Sequence, residues 1–145
     1  MMLRRAFLAI TVAVVATAHA EFTPSGARQV FGESPESLRG HAHERGGYVF
    51  IPADWVVSGN MAKDKKAELV ALRNALTGYL AEATGQSADK IVYDLKDVKS
   101  TTVRTFMKKR QRYVVTAYDA DPIRAYTEEH RAAPLWKRIV LFWRF

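Results

Sequence analysis

Cysteine is absent from the 145 residues, which removes both a disulfide framework and a thiolate metal site and leaves the redox compartment unreadable from thiol usage. Long apolar runs are nearly as scarce. The longest, Ala6 to Ala18, is thirteen residues, short of the roughly 20 that a membrane-spanning helix needs. Acidic residues are missing from the first 20 positions and are outnumbered throughout, 15 against 22 Lys and Arg, for a formal charge of +7. Also lacking are a Gly-x-Ser-x-Gly elbow, a phosphate loop, a Gly-x-Gly-x-x-Gly turn, a His-Glu-x-x-His pair, internal repeats and low-complexity tracts. No motif asks for a cofactor, so none is expected.

What is present describes one small domain. A hydrophobic content of 48% over this length suits a single core, since domains commonly run to about 100 to 150 residues. Met1 to Ala20 has the three-part build of a secretory signal: Arg4 and Arg5, the apolar run, and Ala18-His19-Ala20 as a small-x-small cleavage site. Cleavage there leaves Glu21 first and a charge of 20 − 15 = +5. The expectation is export to a periplasm, the exterior or an organelle lumen. Alternatives are a twin-arginine signal, a mitochondrial presequence and an uncleaved membrane anchor.

The segment Ala62 to Thr84 sets the fold. Leu69, Leu72, Leu76, Leu80 and Ala83 recur at helical spacing, Ala71, Ala75 and Ala81 favour helix, and Gly85 supplies a left-handed stop. Lysines 63, 65 and 66 oppose the dipole, so the start is expected nearer Asp64 or Lys65. Glu21 to Gly47, rich in glycine and proline, reads as an extended arm with one helical turn near Pro35 to Leu38. Tyr48 to Ile51 reads as a strand broken at Pro52, with Trp55 to Val57 as an edge strand or packed loop. Ser87 is placed to cap a short helix, Ala88 to Leu95.

Thr101 to Met107 and Arg112 to Tyr118 are strand candidates joined at Lys108-Lys109-Arg110-Gln111, with a helix over Val103 to Arg112 as the competing reading. Asp121 and Pro122 are expected to open a last helix, ending near Ala132 before Pro134. The resulting class is α+β: one long amphipathic helix (about 62–84), a short second helix and a small antiparallel sheet or hairpin. The layout is a targeting segment (1–20), an arm (21–47) and a single domain (48–145) with an aromatic C-terminal segment.

Residues 67 to 91, ending AEATGQSADKI, resemble the long helix and following Thr-Gly-Gln-Ser turn of the proteolytic subunit of Clp proteases. That family's nucleophile serine has no counterpart upstream, and Phe50-Ile51-Pro52 stands where its catalytic histidine would fall. The resemblance therefore implies no active-site residue.

Three clusters carry possible chemistry. His41 and His43 are the metal candidates, because i and i+2 on a strand point the same way, although sites usually take three or four protein ligands and His130 is remote. Lys108, Lys109, Arg110 and Arg112, beside Phe106 and Tyr113, have the make-up of an anionic-partner surface. Trp136, Phe142, Trp143 and Phe145, mixed with Lys137, Arg138 and Arg144, match protein-interface cores or membrane-surface segments and are the partner-binding candidates. The carboxylates Asp94, Asp97, Asp119, Asp121, Glu128 and Glu129 read as caps and solvated faces.

The function expected is a non-catalytic accessory or structural subunit, a protein-protein interaction module in a membrane-associated or exported assembly. The alternatives are an exported metal-dependent enzyme or ligand-binding protein using the His41/His43 loop, and an RNA-associated organellar protein.

Overall fold

A computed structural model describes residues 21–93 and 97–132. The targeting segment and the aromatic residues Trp136, Phe142, Trp143 and Phe145 lie outside them, as does Asp94.

Two antiparallel strands form the middle of the molecule. β2 (Tyr48–Val56) runs against β4 (Gln111–Asp119), with β1 (His43–Arg45) on one side and β3 (Ser100–Lys108) on the other, in the order β1-β2-β4-β3. Helices cover both faces of this sheet. α1 (Pro24–Glu33) lies on one face, over Tyr48, Phe50, Val115 and Ala117. α3 (Met61–Thr84) and α4 (Ala120–His130) lie on the other, over Val49, Ile51 and Tyr118. A four-residue helix, α2 (Glu36–Arg39), follows α1. The chain is a small α+β domain, as its patterning predicts. No helix among the described residues is long and apolar enough to cross a membrane.

The expected extended arm is instead largely helical. Thr23 caps α1 by accepting from the Gly26 amide at 3.0 Å, and Pro24 occupies the first turn, where a missing N–H costs nothing. Gly26 is there for closeness: a β-carbon would come within 2.5 Å of the Tyr48 hydroxyl. Ala27 and Phe31 are buried, and Phe31 meets Phe50 with centroids 5.3 Å apart. Burying one such ring is worth about 1.5–3 kcal/mol, enough to hold a ten-residue helix to the sheet. Arg39 closes the far end, donating to the Ser34 and Gly32 carbonyls.

The expected break at Pro52 is also absent, and the pairing explains why. Val57 N–H donates to the Arg110 carbonyl and Ala120 N–H to the Gly47 carbonyl, and the β2–β4 register between them is regular. Odd-numbered residues of β2 therefore bond to β4, and even-numbered ones point their backbone groups away. Pro52 directs its missing donor outward, past the end of β1, whose pairing stops at Phe50. No ladder bond is lost.

α3 starts at Met61, earlier than the lysines suggest. Asn60 accepts from Lys63 N–H, and Asp64 reaches back to take hydrogen bonds from Ser58 N–H (2.7 Å), the Ser58 hydroxyl (2.8 Å) and Gly59 N–H (3.1 Å). The turn is thus lashed to the first helical turn. At the other end Gly85 adopts φ 72°, as expected. Leu76 and Leu80 are buried, but Leu69 and Ala83 are exposed, so the covered stripe is narrower than the leucine spacing implies.

Two further boundaries shift. The helix expected over Ala88 to Leu95 is a single 3-10 turn at Ala88–Lys90, after which Tyr93 packs edge-on to Tyr126. The cap of α4 is Asp119, which accepts from Asp121 N–H, and Asp121 sits in the first turn.

Candidate interaction site at the hairpin end

The β3–β4 hairpin forms as the strand reading expects, with Lys108 paired to Gln111. Lys109 takes φ 59°, the left-handed conformation that an Asn or Gly would take more cheaply. From Val98 to Tyr118 the chain holds six cations and no acid, so most of the molecule's excess charge lies in one hairpin.

The four predicted cations do not form one cluster. Lys108 pairs with Gln111, Phe106 with Tyr113 and Arg104 with Val115, which puts these side chains on the α1 face. Phe106 and Tyr113 stack there at 4.9 Å with an 11° interplanar angle, and the Arg104 guanidinium lies 5.1 Å from the Phe106 ring. Lys109 and Arg110 make the turn. Arg112 pairs with Trp55 and Met107 and faces the other way, toward α3.

On that side a cleft of about 500 Å³ opens between the first half of α3 and the sheet. Trp55 and Val114 form its floor, Arg112 and Thr105 one wall, and Lys65 and Glu68 the opposite wall. Arg112 makes only weak contacts, 3.5 Å to the Thr105 hydroxyl and 3.4 Å to the Met107 sulfur. Neither Arg112 nor Lys65 forms an ion pair among the described residues. Asp64 also borders the cleft, but the Ser58 and Gly59 donors hold its carboxyl below the ordinary carboxylate range and occupy it. The lining therefore sets two cations, Lys65 and Arg112, beside two carboxylates, Asp64 and Glu68, over an apolar floor, and none of its described hydroxyls is hydrogen-bonded to a base that would activate it.

His41 and His43 go elsewhere. His43 Nδ1 donates to the His41 carbonyl at 2.9 Å, Nε2 lies 3.1 Å from the buried Ser34 hydroxyl, and the ring packs on Phe50. Both ring nitrogens are thus occupied, and the described residues contain no group of three or more His, Asp or Glu positioned around a common point. Of the carboxylates, Asp119 caps α4, Asp121 faces Arg124 at 3.7 Å and Glu128 pairs with Arg131 at 2.9 Å. Glu44, not singled out in the sequence, pairs with Arg124 and ties β1 to α4.

Trp55, Lys65 and Thr105 carry no such signal in the sequence: they are remote from one another and meet only through the β2–β4 and β3–β4 registers and the packing of α3 over the sheet, whereas the acid-free stretch from Val98 to Tyr118 is a legible sign of a charged surface. No family model, curated protein or solved structure matches the chain.

Proposed function

We propose that this protein is a non-catalytic interaction module, an accessory or structural subunit of a membrane-associated or exported assembly, and that it meets its neighbour with the hairpin end of the sheet. One observation carries the reading. Of the large apolar side chains left exposed among the described residues, Val56, Met61, Leu69, Val70, Phe106 and Met107 all lie on that end or on the first half of α3. Met61 is 88% exposed. These side chains are shared between the two faces of that end, Met107 with Arg112 toward α3 and Val56 with Phe106 toward α1, and interface cores favour Met, aromatics and Arg together. Delivery to a membrane rests on the signal-like pattern of residues 1–20.

The test is a photo-crosslinking residue placed at Met107 or, as control, at the exposed Glu82 on the opposite half of α3, in cells that produce the protein. A discrete adduct of fixed mass from Met107 and none from Glu82 is expected. Identical behaviour of the two positions sinks the reading. Mass spectrometry of the N-terminus checks delivery, with Glu21 as the expected first residue.

A further inference from the structure

We infer that the free edge of β3 takes an acidic, extended segment of a partner protein as a further strand, its carboxylates beside Arg104 and Lys108 and its backbone bonded to Thr102, Thr105 and Met107. This rests on the interaction reading and names the chemistry of the partner.

The backbone supplies the attachment. Asp119 N–H donates to the Lys99 carbonyl, so Lys99 and Thr101 bond to β4, and Ser100 and Thr102 turn their N–H and C=O outward. The register shifts between Thr102 and Arg104; beyond that bulge Arg104, Phe106 and Lys108 bond to β4, and Thr105 and Met107 turn outward. Val103, the extra residue, packs against the cluster beneath α1. The sheet ends at β3, and no backbone hydrogen bond from another described element reaches the four outward residues. A row of free donors and acceptors is what a docking strand needs.

Charge selects which strand. Bulges and lysines are ordinary guards against accidental pairing at an edge, and here the guard has a sign. The six cations between Val98 and Tyr118 are not offset by their surroundings. Residues 24–39, which pack beside β3, carry Arg28 and Arg39 against Glu33 and Glu36, and residues 61–68 carry Lys63, Lys65 and Lys66 against Asp64 and Glu68. Asp54 is the single acid on β2 and is bonded to Gln111.

Segments of this chain are the wrong occupants. Antiparallel pairing of β3 with a second copy about its centre sets Arg104 against Arg104 and brings two cationic hairpins together. Residues 1–20 and 133–145 contain Arg4, Arg5, Lys137, Arg138 and Arg144 and no acid, so the same field repels them. A polynucleotide answers the charge but has no row of donors for the outward carbonyls. A strand of another protein bearing carboxylates answers both.

The experiment uses the full chain and a fluorescein-labelled peptide of alternating valine and glutamate, followed by fluorescence anisotropy at low and high salt. Saturable binding that weakens with salt is expected, with the Thr102, Thr105 and Met107 amides exchanging more slowly in the complex. Added antiparallel, like every other pair in the sheet, the peptide turns its valine amides to β3 and its carboxylates to the Arg104 side. Methylating the valine nitrogens should therefore weaken binding more than about tenfold, and methylating the glutamate nitrogens should leave it nearly unchanged. Thr105→Pro, which removes an outward donor and no ladder bond, should cost about fivefold to tenfold. R104Q/K108Q should cost about threefold to tenfold. Thermal unfolding by circular dichroism establishes that each variant is folded, and the methylated peptides probe the same bonds without altering the protein.

Absence of saturable binding, equal behaviour of the two methylated peptides, or affinity unchanged in both Thr105→Pro and R104Q/K108Q overturns the inference. So does slow exchange of the Thr102, Thr105 and Met107 amides in the full chain alone, which would give the edge to a segment of this chain. A native mass that falls from dimer to monomer in Thr105→Pro would give it to a second copy and likewise overturn it. An adduct at Met107 together with no peptide binding removes this inference while leaving the interaction reading standing.

Discussion

The two ends of the sheet are built differently. At the end where β2 begins, Tyr48 to Ile51 are buried in succession, because α1 covers one face and α3 and α4 the other. Toward the hairpin, β2 alternates between covered and open, and β3 is exposed along most of its length. The same antiparallel ladder runs through both. Stability is therefore concentrated where helices close both faces, and the remaining half of the sheet is left to present apolar and cationic side chains outward.

Substitutions sharpen that contrast. Phe50, fully buried between α1 and the sheet, should cost about 3–5 kcal/mol when replaced by alanine. Phe106→Ala, at a ring 44% exposed, should cost about 1 kcal/mol or less, mostly the stack on Tyr113. Urea unfolding of the two variants checks the difference, and similar midpoints would mean that the hairpin end shares the core's burden. Within α3 alone, Leu80→Ala should cost about 2–5 kcal/mol and Leu69→Ala within about 0.5 kcal/mol, read as a drop in Tm for the first and almost none for the second.

Alkaline pH probes the covered half selectively. Burial pushes the Tyr118 hydroxyl up from 10.0 to about 12, and burial likewise raises Tyr79 and Tyr93. A raised tyrosine favours the neutral form in the fold, so its contribution is complete below pH 10 and is lost as pH climbs from 10 toward about 12. The loss should reach up to about 3 kcal/mol for Tyr118, measured as falling urea midpoints. Tyr118→Phe should flatten that slope. At the hairpin a small effect of opposite sign is expected: Lys109→Gly relieves a left-handed side chain and should stabilise by up to about 1 kcal/mol, visible as a small rise in Tm.

The elements legible in the sequence are those set by neighbours along the chain. The leucine spacing and Gly85 mark α3, and β-branched residues on either side of Lys108 to Gln111 mark the hairpin. What misled were residues whose meaning depends on distant partners. Pro24 and Gly26 look like helix breakers until the first turn of α1 and its close approach to Tyr48 are known. Pro52 looks like a strand break until β4 fixes which way its nitrogen points. Arg112 looks like part of the tip cluster, because the strand's alternation of faces is not visible in a list of charges. The cleft was invisible for the same reason: Trp55, Lys65 and Arg112 come together only when α3 folds back over the paired strands.

The outward-facing nitrogen of Pro52 also limits assembly. Beyond the three residues of β1, the β2 side of the sheet lacks a donor at Pro52, so a further strand laid along it would leave one acceptor unpaired. The outer edge of β3 has no proline among its nine residues, so a neighbouring strand would meet no such gap there.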